Sequence, residues 1–140
     1  MSKILFKIIT PERIVFESEV NQATLPALDG EVTILPNHIP YISPIKAGEI
    51  LLKTGGEEQS LSVSGGFIEF SNNTLSVLAD TAERAEEIDI ARAEEAKKYV
   101  EDLKNKRVSM DEQEFAKVSA VLERELARIK VAKKYKQRGR

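Results

Sequence analysis

The sequence predicts an α+β protein in which an all-β N-terminal sandwich of about ten short antiparallel strands precedes an α-helical hairpin. As far as Ala79, apolar residues mostly alternate with polar ones and Gly and Pro recur, a pattern typical of half-buried strands. From Ile88 onward, apolar residues recur every three or four positions with charges between them, and neither Gly nor Pro appears before Gly139. We therefore place a β-sandwich domain at residues 1–84 and a two-helix hairpin at residues 85–140, with a hinge in the handover at residues 78–93.

Composition excludes several classes of protein. The chain has no cysteine, so disulfides, thiolate chemistry and cysteine-ligated metals are excluded, which fits a reducing cytosol. The apolar N-terminus is interrupted by Lys7 and has no small-residue cleavage site, so we interpret it as a first strand and not as a signal peptide. No apolar stretch approaches the roughly 20 residues that cross a bilayer, so we expect no direct membrane insertion.

Charge is distributed unevenly along the chain. Residues 1–110 carry 12 basic and 18 acidic side chains, whereas residues 111–140 carry 9 basic and 5 acidic ones. The last fifteen residues hold seven basic side chains and no acidic one. Such a tail either meets an acidic partner or stays solvated.

Strands are predicted from the alternation of apolar and polar residues, and turns from the Pro, Gly and Asn residues that interrupt it. Turns are expected at Thr10-Pro11, Asp29-Gly30, Gly55-Gly56 and Asn72-Asn73. Val20, Ala23 and Leu25 are candidate core positions, and Pro26 indicates an edge or a bulge. Eight of the predicted strands can be given bounds, at residues 3–9, 14–16, 20–28, 31–35, 48–53, 59–64, 67–71 and 75–79.

A proline-rich segment, LPNHIPYISP at residues 35–44, should be extended or turned and should hold its side chains in fixed positions. It contains His38, the only histidine of the chain. A lone histidine without nearby carboxylates does not form a metal site, so we predict no metal site. We interpret His38 as a surface or interface contact, with a structural histidine as the alternative.

Two helices are predicted after the sandwich. The first begins near Asp89, a good N-cap residue, and its apolar face consists of Ala93, Ala96, Val100 and Leu103. After a connector at residues 105–108, Ser109 and Glu112 form a capping box for a second helix at residues 111–134. The second apolar stripe is Phe115, Val118, Leu122, Leu126 and Ile129. Because a seam rich in alanine buries little apolar area, we expect a marginal hairpin that a ligand or partner can open or close.

With these elements in place, the chain resembles the epsilon subunit of bacterial F-type ATP synthases over nearly its whole length. Three ordered stretches carry the resemblance: DGEVTILPNHIPYISPIKAGEI, SVSGGFIEFSNNTLSVLAD and AERAEEIDIARA. Thr33 and Asn37 stand where many members have glycine. Because asparagine tolerates positive φ, the loop around Asn37 should be preserved.

The resemblance implies a non-catalytic rotor subunit of a proton-translocating ATP synthase, peripheral to the cytoplasmic face of the cell membrane. The sandwich would contact the gamma subunit and the ring of c subunits, with the His38 loop at one of these contacts. The hairpin would lie folded on the sandwich or extend towards the alpha and beta subunits, where it inhibits ATP hydrolysis. The basic residues expected to meet an acidic loop of beta are Arg124, Arg128, Lys130, Lys133 and Lys134.

A regulatory ATP site is also implied, because residues 88–93 resemble the I/L-D-x-x-R-A motif of ATP-binding members. Asp89 would bond the adenine or ribose and Ile88 and Ala93 would pack on the base, whereas arginine forks suit phosphate oxygens. The arginines are Arg92, Arg124 and Arg128, and Glu83 is a further candidate. ATP would be a regulatory ligand, with or without Mg²⁺, and no cofactor is required. The alternative interpretation is an N-cap aspartate among ordinary surface arginines.

No catalytic constellation is visible, so we predict a regulatory or structural subunit and not an enzyme. A sandwich enzyme would need an acid–base set that the sequence lacks. The alternative function is a nucleic-acid-binding module that uses the basic C-terminal helix, although that helix has few aromatic residues on which bases could stack.

Overall fold

A computed structural model describes residues 2–106 and 111–138, and it confirms the predicted fold class of a β-sandwich followed by two helices. The described part contains eight strands, fewer than the predicted ten or so. The strands are β1 (Ile4–Ile9), β2 (Ile14–Val20), β3 (Gln22–Ala27), β4 (Gly30–Ile34), β5 (Tyr41–Thr54), β6 (Glu57–Ser71), β7 (Thr74–Ala79) and β8 (Ala82–Arg84). A 3₁₀ turn (Ala85–Glu87), α1 (Ile90–Lys106) and α2 (Glu112–Arg138) follow.

The strand count is lower because β5 and β6 run through positions that were expected to break them. Pro44 lies inside β5, opposite Phe67 of β6. Gly65 and Gly66 continue β6 with φ of 125° and 143°, values that a glycine adopts without strain. The two glycines therefore bend one long strand where the sequence indicated a break between two short ones.

The strands form one continuous hydrogen-bonded path in the order β2-β1-β7-β6-β5-β3-β4, with β8 beside the first half of β6. Neighbours along this path are antiparallel except for the parallel pair β1 and β7. A single apolar core of 18 buried residues lies inside the folded sheet. It includes Val20, Ala23 and Leu25, each at most 1% exposed, as predicted.

The predicted turns are also present, but the one expected at Asp29-Gly30 lies one residue earlier, at Leu28-Asp29, because Ala27 pairs with Gly30. Asn72 and Asn73 have φ of 50° and 56°, and Gly55 and Gly56 have φ of 57° and 88°, as type I′ hairpin turns require. Asn37 has φ of 69°, so asparagine adopts the positive φ that it was expected to tolerate in this loop. The β3–β5 register shifts between Thr24 and Ala27, a stretch that contains Pro26, so of the predicted edge or bulge the structure has an irregularity of the bulge kind.

The handover from sheet to helix contains structure that the sequence did not indicate. Strand β8 pairs with β6, and the 3₁₀ turn follows it directly. Ala85 and Ile88 then pack with Val131 and Ala132 of α2 in a second, small apolar cluster. The handover is therefore docked against α2 in this conformation, and its role as a hinge stays a prediction.

Both helices begin at aspartate caps. The Asp89 carboxylate accepts a hydrogen bond from the Arg92 backbone N–H (3.1 Å), which confirms the predicted start of α1. The Asp111 carboxylate accepts one from the Glu114 backbone N–H (2.8 Å) at the start of α2. The predicted capping box depended on Ser109, which lies outside the described residues, as do residues 107 and 108 of the predicted connector.

The helices are antiparallel, because Lys133 near the end of α2 lies 3.6 Å from Glu94 near the start of α1. Ala93 and Val100 of α1 are buried as predicted. The α2 stripe was predicted less well: Phe115 and Leu126 are 49% and 44% exposed. The residues buried instead are Glu125, Ala127, Val131 and Ala132, because the second half of α2 packs on β5 and β6 as well as on α1. No helix in the described ranges is both long and apolar enough to cross a bilayer.

Candidate functional site

The surface beneath α2 is polar. Along β6, Leu61 and Val63 point into the sandwich core, so the alternate residues Ser60 and Ser62 face outward under α2. These serines are only 5% and 3% exposed. Ser62 is paired with Glu49 of β5 on one side and with Glu83 of β8 on the other. We call Glu49, Ser62 and Glu83 the acidic row.

One end of the acidic row holds the C-terminal part of α2. Lys134 Nζ donates a hydrogen bond to Glu49 Oε1 (2.8 Å), and Ser60 Oγ donates one to Glu49 Oε2 (2.8 Å). The Glu49 side chain is 9% exposed, whereas that of Lys134 is 38% exposed. Both oxygens of a nearly buried carboxylate are thus satisfied, one of them by a charge that belongs to the helix.

The other end of the row holds Arg128. Its Nη1 donates to both carboxylate oxygens of Glu125 (2.6 and 2.9 Å), and its Nη2 donates to Glu83 Oε2 (3.2 Å). Arg128 Nε also lies 2.6 Å from Glu83 Oε1. Glu125 is only 1% exposed, so its charge depends on this guanidinium for compensation.

The Arg128 pKa reflects two opposing causes. Burial lowers the pKa of the guanidinium, but its hydrogen bonds to Glu125 and Glu83 and their negative charges outweigh this, so the pKa is raised above its ordinary value. Arg128 therefore stays charged throughout the physiological pH range, and these contacts are not a pH switch through this group.

The predicted nucleotide site is only partly assembled in this conformation. The structure brings together Arg128 and Glu83, whereas Arg92 is exposed and Arg124 is half-buried. Neither Arg92 nor Arg124 forms an ion pair with any of the residues described. The two free guanidiniums suit an anion, but a phosphate would have to compete with Glu83 and Glu125 for Arg128.

The residues expected around the base are already engaged in the fold. Asp89 caps α1, Ile88 is 8% exposed within the second apolar cluster, and Ala93 is fully buried. These positions would therefore act on a nucleotide through the polar edge of Asp89 and the start of α1, with little free apolar surface.

The predicted partner-contact residues of α2 fall into two groups. Arg128, Lys133 and Lys134 form ion pairs within the chain. Lys130 is exposed and Arg124 is half-buried. Pairing within the chain reduces the positive charge that α2 presents to an acidic protein loop or to a nucleic acid in this conformation.

His38 is packed onto the sandwich. Its Nδ1 donates to the Ile39 carbonyl oxygen (2.7 Å), and its ring meets Tyr41 and Phe70 edge-on at centroid distances of 5.9 Å. The Asn37 N–H donates to the Asn73 side-chain oxygen (2.7 Å), which ties the loop to the β6–β7 turn. His38 thus anchors a loop in which Leu35 and Ile39 are exposed, at 50% and 73%.

A row of apolar side chains lies on the outer face of the sheet formed by β5, β6, β7, β1 and β2. Directly paired residues share a face of a sheet, and this apolar row consists of Pro44, Phe67, Leu78, Ile9 and Ile14. Phe67, Leu78 and Ile14 are 56%, 51% and 58% exposed. A contiguous exposed apolar surface of this kind marks an interaction site.

Three residues of this surface were not predicted from the sequence, namely Glu49, Ser60 and Glu125. Glu125 stands three residues before Arg128, a spacing at which helical side chains meet, so that pair could have been found. Glu49 and Ser60 carried no such signal, because nothing in a strand shows that a helix distant in sequence covers its outer face.

Two family descriptions match consecutive parts of the chain. Residues 3–85 match the ATP synthase delta/epsilon chain beta-sandwich domain. Residues 86–133 match the ATP synthase delta/epsilon chain long alpha-helix domain.

Curated relatives extend this likeness to whole chains. The ATP synthase epsilon chain of Dehalococcoides mccartyi strain BAV1 is 47% identical over 139 residues, covering 96% of this chain and 95% of that one. The ATP synthase epsilon chain of Desulforamulus reducens is 41% identical, covering 89% and 93%, and that of Pediococcus pentosaceus is 38% identical, covering 94% and 96%.

A solved structure shares the fold. In the Euglena gracilis mitochondrial ATP synthase, described as OSCP/F1/c-ring in rotational state 1, one chain matches with a TM-score of 0.76 at 21% identity, covering 94% of this chain and 82% of that one. At that identity the likeness shows the fold alone. From the two family matches and the near full-length bacterial relatives, the chain belongs to the ATP synthase epsilon chain family.

Proposed function

We propose that this chain is a non-catalytic central-stalk subunit of a proton-translocating bacterial ATP synthase, peripheral to the cytoplasmic face of the membrane. Its hairpin regulates ATP hydrolysis by leaving and rejoining the sandwich. The observation that carries this proposal is the polar surface between α2 and a sandwich that has a complete core of its own. A helix held by ion pairs and a small apolar cluster can leave without exposing that core.

The apolar row is the proposed contact with the gamma subunit. It lies on strands β1, β2 and β7 and on the first half of β5 and the second half of β6, whereas the acidic row lies on the opposite halves of β5 and β6. The sandwich can therefore bind the stalk while α2 moves. The His38 loop, with exposed Ile39 and the neighbouring Ile42 (74% exposed), is the proposed contact with gamma or with the ring of c subunits.

The hairpin is the proposed inhibitory arm. Helix α2 has 27 residues. At a rise of about 1.5 Å per residue it is roughly 40 Å long, enough to reach the alpha and beta subunits if it extends along the stalk. Extension would release Arg128 from Glu83, Lys133 from Glu94 and Lys134 from Glu49, and with Arg124 and Lys130 these residues would then face an acidic loop of beta.

ATP is the proposed ligand of the folded hairpin. Arg92 and Arg124, which have no ion-pair partner in the described part, and Arg128 supply the phosphate contacts, and Asp89 faces the adenine or ribose. Glu83 belongs to this site as the carboxylate that a phosphate would displace from Arg128. ATP would act as a regulatory ligand, with or without Mg²⁺.

Truncation tests the inhibitory arm. A chain that ends at Asn105 lacks α2, so the assembled ATP synthase should hydrolyse ATP faster while its subunit composition stays complete. A chain that ends at Gln137 keeps nearly all of α2 and serves as the matched control. An unchanged rate with the Asn105 truncation would contradict inhibition by the hairpin.

Calorimetric titration of ATP into the isolated chain tests the nucleotide site. Asp89→Ala and Arg92→Ala should each weaken binding by about tenfold or more, because each removes a charge-assisted contact. Asp111→Ala is the matched control, since it removes the carboxylate cap of the other helix. Equal affinities for all three variants and the parent would exclude Asp89 and Arg92 from the site.

A further inference from the structure

We propose that the acidic row is a two-point electrostatic latch that holds α2 on the sandwich, with Lys134 on Glu49 and Arg128 on Glu83 as its two contacts. This inference deepens the proposed function and rests on it in one respect, namely that release of the hairpin is regulated. The residues of the latch, in contrast, can be tested in the isolated chain without any other subunit.

The spacings of the two partners match. Glu49 and Glu83 flank Ser62 on adjacent strands, so their backbones are about 10 Å apart at the usual strand separation. Residues 128 and 134 are separated by about 9 Å along a helix axis. Two basic side chains of α2 can therefore reach both carboxylates at once, and the observed distances of 2.6 Å for Arg128 Nε to Glu83 and 2.8 Å for Lys134 to Glu49 show that they do.

The surface between α2 and the sandwich differs in composition from a permanent apolar interface. Four buried residues form the apolar cluster between the handover and α2, namely Ala85, Ile88, Val131 and Ala132. The sheet surface beside that cluster consists of Ser60, Ser62 and the two carboxylates. When α2 leaves, these polar groups become hydrated, and the apolar surface newly exposed between the handover and α2 is that of this four-residue cluster.

The Lys134–Glu49 and Arg128–Glu83 contacts differ in their exposure to water and in the number of carboxylates that each basic side chain binds. The Lys134 side chain is 38% exposed, so water and salt screen its attraction to Glu49. Arg128 is 20% exposed and is shared between Glu83 and the nearly buried Glu125 of its own helix. Arg128 thus keeps one carboxylate partner when the helix leaves, whereas Glu49 keeps, among the residues described, the Ser60 hydroxyl. Separation of Arg128 from Glu83 therefore costs less free energy than the number of Arg128 contacts suggests.

Thiol labelling measures release of α2 directly, because the natural chain has no cysteine. Ser62→Cys places one thiol at the centre of the acidic row, where it is covered while α2 is docked. Its rate of reaction with a thiol reagent then reports the open fraction, even when that fraction is small. Ala23→Cys, in a separate chain, places the thiol in the sandwich core and reports unfolding of the sandwich.

Lys134→Glu in the Ser62→Cys chain should raise the labelling rate about tenfold or more, because it sets two carboxylates against each other. Lys133→Glu is the matched control: it changes the net charge equally, one residue away, but breaks only an exposed pair between the two helices. It should change the rate by about twofold at most, as exposed pairs contribute little. The exchanged pair Glu49→Lys with Lys134→Glu should return the rate to within about threefold of the parent.

Equal labelling rates for Lys134→Glu and Lys133→Glu in the Ser62→Cys chain would overturn the latch. It would also be overturned if Lys134→Glu raised the labelling rate of the Ala23→Cys chain in parallel, because that would mean that the whole sandwich unfolds. Addition of ATP to the same assay separates the latch from the proposed ATP sensing. If Lys134→Glu accelerates labelling and ATP has no effect, the latch stands and ATP sensing fails. If ATP slows labelling of the parent but the two lysine variants behave alike, the latch fails and ATP sensing stands.

Discussion

The interior of the sandwich and the surface under α2 are two interfaces of one chain that differ in residue composition. The first buries 18 apolar residues between strands whose register is fixed by ladder pairing. The second combines four buried apolar residues with carboxylates, serines and basic side chains. A large apolar interior separates only by unfolding, whereas a small polar interface can separate while both sides stay folded.

The comparison also shows where tolerance to change should lie. Inside the sandwich, backbone approaches backbone closely and a single added atom has no room. On the α2 side, the contacts run through long side chains that can move away. Substitutions in the two regions should therefore differ in the size of their effect on stability. They should also differ in the equilibrium that they change, which is unfolding of the sandwich in one region and release of α2 in the other.

The largest effect is expected at Gly66. A Cβ at this position would lie 2.0 Å from the Leu78 carbonyl oxygen and 2.9 Å from the Ala79 Cα, and φ is +143°. Gly66→Ala should therefore destabilise the sandwich by about 4 kcal/mol or more, or prevent folding, because backbone atoms must shift. Gly55→Ala, at φ of +57° with no atom within 4 Å, is the control and should cost about 1 kcal/mol. Urea unfolding monitored by circular dichroism measures both, and similar midpoints would contradict the close approach at Gly66.

A matched pair of valines separates the two interfaces. Val77 in the sandwich core and Val131 in the second cluster are both fully buried. Val77→Ala should lower the free energy of sandwich unfolding by about 2 kcal/mol, from lost burial and the cavity left behind. Val131→Ala should leave that transition unchanged and should instead speed amide hydrogen exchange across the second half of α2. If Val131→Ala lowered sandwich stability as much as Val77→Ala, the two interfaces would form one cooperative unit.

The smallest effect concerns the cap of α2. Asp111→Ala removes the acceptor of the Glu114 N–H and should raise hydrogen exchange in the first turns of α2, at a cost of about 1 kcal/mol to helix stability. Asp111→Asn keeps an acceptor and should cost much less. The sandwich transition should be the same in both variants. A shift of the sandwich midpoint with Asp111→Ala would show that the hairpin and the sandwich unfold together.

Much of the fold could be predicted because its signals are local. Alternation located the strands, asparagine and glycine pairs located the type I′ turns, and Asp89 located the start of α1. Strand β6 was predicted as two strands and β5 was predicted to begin too late, because the Gly65-Gly66 pair and Pro44 are breakers in isolation but are tolerated within a long paired ladder. Strand β8 is only three residues long and carries too little pattern to be recognised.

The candidate site could be predicted only in part: its residues could be named, but their contacts could not. The resemblance identified Glu83, Asp89 and the arginines as residues of interest, but which of them meet could not be predicted from spacing in the sequence. Glu49 and Lys134 are 85 positions apart, and only the docking of α2 on β5 and β6 brings them within 2.8 Å. The exposure of Leu126 has the same cause, since α2 faces two surfaces and the helical period alone shows only one apolar stripe.

The sequence by itself therefore determined the two-part architecture, the turns, the helix starts and the family, because each depends on neighbouring residues or on short ordered motifs. Only the tertiary structure decided that Arg128 is shared between Glu83 and Glu125, and that the helix rests on serines and a carboxylate. The physical reason is that the outward face of a strand has the same composition whether water or a helix covers it. Which of the two lies there depends on a docking geometry set by residues far apart in the chain.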